Sequence, residues 1–218
     1  MAGLTSLIAR RPRLTLAAAV GLGLLAAALL QRLPPPAQQL QMTPVFRTVL
    51  EDPGSPAVGL ADADVAVVVF TDYQCAVCKR TDPALRRLLA NDPGVRLVFK
   101  DWPVFGERSR AAARAALAAE RQGRYLELHA ALMDVRGPLD AERIRQAALA
   151  AGVDWARLQA DLAAHGPALD RQLARHQLQA FSLGLAGTPA YLVGPYLMQG
   201  GLDDAQLAKA VDRVRRSR

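Results

Sequence analysis

The feature that most constrains this chain is a run of strand-formers, Val65-Ala66-Val67-Val68-Val69-Phe70, leading through a short polar turn into Cys75-Ala76-Val77-Cys78. The run is almost wholly apolar, as a central strand buried on both faces must be. After Cys75 the sequence reads as helix to about Ala90, where Asn91-Asp92-Pro93-Gly94 stops it. Val95–Lys100 is the next strand, and the helical crossover makes it parallel to the first. The cysteines are the only two among 218 residues. A structural staple would more usefully join distant segments, since stabilisation grows with the loop closed. The pair therefore reads as chemistry rather than scaffolding.

A helix N-terminus leaves backbone N–H groups unpaired and carries the positive end of the helix dipole. A thiolate there is favoured, so the Cys75 pKa is expected to fall and Cys75 to be the nucleophile. Cys78, one turn further in, faces the body as the resolving thiol. Lys79 and Arg80 add positive charge nearby. A zinc half-site and a pair of inert buried thiols are the alternatives. Zinc usually takes four ligands, and there is no second cysteine pair. His129, His165 and His176 lie far along the chain in helical segments, and His129, within Tyr125–Met133, is expected to pack or cap. Downstream, Gly187-Thr188-Pro189 precedes the apolar stretch Ala190-Tyr191-Leu192-Val193. Alone, this dipeptide reads as an ordinary trans proline opening a strand. The upstream cysteine motif turns the reading towards a cis Thr188-Pro189 bond in a tight turn.

The string Phe70-Thr71-Asp72-Tyr73-Gln74-Cys75-Ala76-Val77-Cys78-Lys79-Arg80 resembles the active-site turn of DsbA-like thiol–disulfide oxidoreductases. Phe99-Lys100-Asp101-Trp102-Pro103, a Ser109-started alanine-rich helix and Gln122-Gly123-Arg124-Tyr125 follow in family order, and Gly187-Thr188-Pro189 looks like the family's cis-proline loop. The resemblance runs from about Val45 to the end. It implies a thioredoxin-like α/β fold with an all-helical subdomain inserted over about 109–184. It also implies that Thr188 and Pro189 pack against Cys75 and Cys78, with the Thr188 backbone pairing an extended substrate. No cofactor is implied beyond the redox-active Cys75–Cys78 pair, and no metal. Two departures bear on redox poise. Ala76 stands where many relatives carry proline, and Val77 where the most oxidising type carries histidine. Val69 stands six residues before Cys75, where relatives often keep a proton-transferring carboxylate; Asp72 is a weak substitute.

The net charge of +7 invites a nucleic-acid reading, but Arg10, Arg11, Arg13 and Arg32 account for four of the 27 basic residues in a stretch with no acid. The remaining 23 basic residues face 20 acidic ones, so no nucleic-acid footprint is left. Leu14 to Leu30 is an uncharged run dominated by Leu and Ala, preceded by arginines. The positive-inside rule places the N-terminus in the cytoplasm. Expected organisation is a basic tail over 1–13, a transmembrane signal anchor over 14–33, a Pro-rich spacer over 34–44 and the catalytic domain over 45–218. No clean cleavage site follows the run, so an uncleaved anchor is favoured over a removed signal peptide.

Within the domain, Val45–Leu50 is expected as a first strand, and helical periodicity from Ser109 to about Gly184 breaks at Gly123, Gly137-Pro138, Gly152 and Gly166-Pro167. Trp155 and Phe181 are expected in the core. Short strands at Ala190–Val193 and near Tyr196–Met198 precede a final helix over Asp203–Val214. These readings predict a monomeric, single-pass enzyme of the bacterial inner membrane with its catalytic domain in the periplasm, where disulfides persist. It would exchange disulfides with exported cysteine-containing proteins and be recycled by a membrane redox partner, with oxidation slightly favoured. A client-specific reductase for cytochrome or metal-site assembly, or a copper-binding chaperone, are the other expectations.

Overall fold

A computed structural model describes residues 16, 19–23, 37–41 and 43–217. Six strands make one sheet: β1 (Gln38–Gln39), β2 (Ala57–Val58), β3 (Val65–Thr71), β4 (Val95–Asp101), β5 (Ala190–Val193) and β6 (Tyr196–Gln199). Their order is β1-β6-β5-β3-β4-β2, with β3 and β4 parallel and every other pair antiparallel. Seven helices are described: α1 (Pro44–Leu50), α2 (Ala76–Asn91), α3 (Glu107–Ala119), α4 (Tyr125–Asp134), α5 (Ala141–Ala150), α6 (Trp155–Ser182) and α7 (Asp204–Arg216). Strand β3, the apolar run of the sequence, lies between β4 and β5 and feeds α2 directly. This is the thioredoxin-like arrangement, with α3 to α6 as the helical insertion.

Alternation along the central strands divides the core between the two sheet faces. Val65, Val67 and Val69 of β3, with Leu97 and Phe99 of β4, pack against α2, α7 and the insertion. Val68, Phe70, Val98 and Trp102 pack against Phe46 and Val49 of α1 and Ala180 at the end of α6. All these valines and phenylalanines of β3 and β4 are almost completely buried, each contributing roughly 1.5–3 kcal/mol. Helix α7 has a capping box between Asp203 and Gln206, and Arg213, Arg215 and Arg216 in its last turn, which complements the dipole.

Several expectations are corrected. Val45–Leu50 is not a strand: Thr43 caps Phe46 N–H, Pro44 sits at the first helical position, and Phe46 and Val49 fall on one helical face. The helix near Ser109 starts earlier, at Glu107, after Gly106 at φ 87°. Gly166-Pro167 does not break α6, which runs on because Leu158, Leu169, Leu173, His176 and Ala180 keep one buried face in register across the proline. Packing along that face outweighs the lost backbone hydrogen bond. Phe181 is 57% exposed, edge-on to Trp102, and Trp155 is only partly buried. Part of the spacer is also structured: Gln38 and Gln39 pair with Leu197 and Tyr196 as an edge strand. The basic tail and most of the expected anchor lie outside the described residues; Leu16 and residues 19–23 are helical and exposed. No helix among the described residues is long and apolar enough to cross a membrane.

The α1 side of the sheet holds a buried polar cluster. Lys100 of β4 is fully buried, its Nζ 2.9 Å from Asp52 Oδ2 and 2.8 Å from Ser55 Oγ. His176 Nδ1 lies 3.1 Å from the Asp101 carbonyl, which can only accept, so Nδ1 carries the proton and Nε2 accepts from Ser55 Oγ at 3.1 Å. Burial and the Lys100 charge push the His176 pKa down to about 3. The unfolded chain therefore binds a proton at His176 below about pH 6.5, which the folded chain refuses. This part of the stability is complete above pH 6.5 and falls as pH drops towards 3. In urea titrations between pH 7 and 4, His176→Gln is expected to be less stable at pH 7 but to lose less stability on acidification.

Candidate active site at the cysteine turn

Cys75 is the N-cap of α2. Its Sγ accepts from the Cys78 backbone N–H at 3.3 Å, and its own S–H donates to the Thr188 carbonyl at 3.3 Å. Thr188-Pro189 is cis, so the expected loop meets the cysteine turn where the resemblance places it. The geometric contact is made by the Thr188 backbone carbonyl. Pro189 is buried and its carbonyl accepts from Gly200 N–H at 2.9 Å, which ties the loop to the end of β6. Both cysteines are free thiols, 3% and 2% exposed.

The two thiols are driven apart electrostatically. A hydrogen bond from the Cys78 side chain, outweighing burial, brings the Cys75 pKa down to about 6, aided by the backbone N–H of Cys78. Burial pushes the Cys78 thiol far up, reinforced by the neighbouring Cys75 charge. Near neutral pH this gives a thiolate beside a thiol, the condition for one sulfur to attack or leave while the other waits. No cluster of three or more His, Cys, Asp or Glu suited to a metal occurs among the described residues.

Lys79 does not face Cys75. Its Nζ binds the Leu132 and Val135 carbonyls at 3.2 and 2.5 Å, at the C-terminal end of α4. Its charge satisfies a helix terminus and fastens the insertion to α2.

Asp72 has a role that its residue type alone does not announce. Oδ1 accepts from Gln74 N–H at 2.7 Å and Ser109 Oγ–H at 2.6 Å. Oδ2 accepts from the backbone N–H groups of Val104 at 2.6 Å and Phe105 at 3.1 Å. With its acceptor sites occupied and the residue 1% exposed, Asp72 is a brace between the cysteine turn and the loop before α3, not a proton shuttle. The only sequence signal was an Asp two residues before a turn N–H, the Asx-turn spacing. His129 does pack, as expected, but it is also hydrogen-bonded at both nitrogens beneath the turn.

The sequence pattern of the DSBA-like thioredoxin domain matches residues 66–212, more than half of the chain. A thioredoxin-like oxidoreductase from Silicibacter pomeroyi is 40% identical, covering 78% of this chain and 96% of that one, with a TM-score of 0.73. The catalytic domain of Proteus mirabilis ScsC is 30% identical over 78% of this chain and 93% of its own (TM-score 0.70). The thiol–disulfide exchange protein α-DsbA2 of Wolbachia pipientis is 26% identical over 78% and 91% (TM-score 0.74). Among curated proteins, the Na(+)/H(+) antiporter NhaA 1 of Mycolicibacterium vanbaalenii is 28% identical over 161 residues, which are 72% of this chain and 26% of that protein. The chain thus spans about a quarter of the length of the curated relatives it matches. With the cysteine pair capping α2, the cis proline against it and the helical insertion in place, the chain belongs to the DsbA-like thioredoxin-domain family of thiol–disulfide oxidoreductases.

Proposed function

We propose that this protein is a membrane-anchored oxidoreductase of the bacterial periplasm that exchanges disulfides with exported proteins, net oxidation being favoured. The observation that carries the exchange reading is Cys75 at the cap of α2, its Sγ against the carbonyl of the cis Thr188-Pro189 loop and Cys78 buried behind it. In the oxidised protein, a client thiolate attacks Cys75 Sγ, the Cys75–Cys78 bond breaks, and Cys78 leaves and is protonated. A second client thiolate then attacks its own sulfur in the mixed disulfide. Cys75 leaves as a stabilised thiolate, and the client disulfide is formed at the cost of two electrons passed to the cysteine pair. A disulfide-bearing or quinone-linked partner in the membrane would take those electrons away.

A thiolate pKa of about 6 lies between those of thioredoxin (~7) and DsbA (~3.5). The reduction potential should therefore lie between about −270 and −120 mV. Exposed Val104 and Phe105, tethered to Asp72 of the cysteine turn, offer an unfolded client apolar surface. Periplasmic placement rests on the apolar Leu14–Leu30 run behind Arg10, Arg11 and Arg13. Monomeric behaviour is proposed with it.

The test is the equilibrium redox state of Cys75–Cys78 across glutathione ratios, with thiolate absorbance followed against pH. A thiolate inflection near pH 6 and a potential above roughly −180 mV are expected of a disulfide donor. A potential near or below about −250 mV would make it a client reductase fed by a membrane donor. If no disulfide forms at any ratio, redox exchange is wrong.

A further inference from the structure

Beside the cysteine turn, the first turns of α2 and the loop after α4 enclose a groove of about 730 Å³ that the exchange reaction as described does not use. Gln74 and Ala76, the two neighbours of Cys75 in the chain, line it together with Lys79, Arg80, Asp134 and Arg136. A space of this size accommodates a ligand as large as a short piece of peptide. Any client chain joined to Cys75 must lead away from the sulfur over the residues that flank it.

The far wall is held in shape before a client arrives. Gln74 Oε1 accepts from Leu139 N–H at 2.6 Å, which ties the cysteine turn to the loop. Lys79 Nζ donates to the Leu132 and Val135 carbonyls, and Arg143 Nη1 donates to those of Arg136 and Pro138 at 2.9 and 3.0 Å. Between them Gly137 turns at φ 81°, a conformation that glycine adopts freely. A groove pinned in this way loses little conformational entropy when it is filled.

Its unspent charge is positive. Arg80 and Arg136 are exposed, and neither side chain makes an ion pair or hydrogen bond among the described residues. Lys79 is committed to the helix carbonyls, and the one acid of the lining, Asp134, is paired with Arg86 at 3.0 Å. Ala76 and Arg80 are four apart on α2, the spacing that puts residues on one helical face. Arg80 follows Cys75 by five residues, a rise of about 7.5 Å along the helix. An extended chain covers that length in two or three residues, at about 3.3 Å each.

We propose that this groove receives the stretch of client beside the client's cysteine and selects clients that carry Asp or Glu two or three residues from it, Arg80 and Arg136 taking the carboxylate. The inference rests on the disulfide-exchange reading above and names its substrate class. A guanidinium and a carboxylate form paired, charge-assisted hydrogen bonds, and a groove lined by one sign of charge speeds encounter with the opposite one. Both directions of exchange pass through the same Cys75–client disulfide, so the preference holds whether a client disulfide is made or removed.

The experiment uses the reduced full chain and three short peptides with a single cysteine, whose positions two and three residues to either side are all Glu, all Gln or all Lys. Each peptide sulfur carries a thiopyridyl group. Cys75 Sγ attacks the peptide sulfur, the Cys75–peptide bond forms, and pyridine-thiolate leaves with the electron pair and is read by ultraviolet absorbance. Rates are divided by those of the same peptides with 2-mercaptoethanol, which removes their intrinsic reactivity. At about 10 mM salt, where the Debye length is about 30 Å, the Glu peptide is expected to react about 10-fold faster than the Lys peptide, with Gln between them. In Arg80→Gln/Arg136→Gln the ratio should fall to about 2 or less. Arg171→Gln/Lys209→Gln, which removes two exposed cations of α6 and α7 outside the groove, should keep it. A wild-type ratio near one overturns the proposal. So does a ratio that Arg80→Gln/Arg136→Gln lowers no further than Arg171→Gln/Lys209→Gln does, because net charge alone then explains it. If the peptide adduct forms but no Cys75–Cys78 disulfide follows with any of the three, it is the oxidoreductase reading that fails.

Discussion

Cys75→Ser is expected to abolish disulfide exchange, by at least about 10⁴-fold, while leaving the fold intact. The substitution is nearly isosteric, and a serine oxygen can still accept the Cys78 N–H and cap α2. What it loses is a nucleophile ionised near pH 6 and the ability to form a disulfide. Cys78→Ser should behave differently. Cys75 keeps its cap position and still attacks, but nothing resolves the product, so mixed disulfides with clients should accumulate on non-reducing gels. Because the Cys78 side chain is the largest influence lowering the Cys75 pKa, Cys78→Ala should also move the thiolate inflection upward, read by ultraviolet absorbance. Release of clients by Cys78→Ser at the wild-type rate would contradict the assignment of Cys78 as the resolving thiol.

Asp72→Ala is expected to cost about 4 kcal/mol of stability, since it removes a buried charged acceptor from four hydrogen bonds. That is a large part of the 5–15 kcal/mol typical of a domain, and it should appear in denaturant unfolding as a lowered midpoint. Asp72→Asn, which keeps one oxygen acceptor, should lose about half as much. The mechanistic consequence is separable. The loop carrying Val104 and Phe105 is released from the cysteine turn, so exchange with unfolded protein should suffer more than exchange with glutathione. Equal loss towards both substrates would mean that Asp72 supports only the cysteine turn.

The parts that were legible in the sequence are those whose cause is local. The near-continuous apolar run at Val65–Phe70 and the turn signal at Asn91–Gly94 mark β3, α2 and β4 nearly to the residue. The alanine-rich stretch after Gly106 could hardly be anything but helix. Local reasoning failed at Val45–Leu50, where β-branched and aromatic residues suggested a strand. Its apolar positions, Phe46 and Val49, are three apart, and they are buried by the sheet above them. It failed again at Gly166-Pro167, where a helix breaker is overruled by the buried face of α6. Lys79 adds positive charge near the cysteines in the sequence, yet its ammonium lies at the end of a helix more than fifty residues away in the chain.

By itself the sequence determined that two cysteines would stand at the mouth of a strand-to-helix turn, with a Thr-Pro step available to meet them. Those features arise from patterning and capping within a few residues. The tertiary structure alone decided what surrounds the sulfurs. It buries Cys78, directs Lys79 away, fills both oxygens of Asp72, and threads Tyr73, His129 and Asp82 together across separations of 56 and 47 positions. Hydrogen bonds between distant polar side chains have no periodicity to leave in a sequence. They exist only once the insertion has packed against α2 and excluded the water that would otherwise have satisfied them.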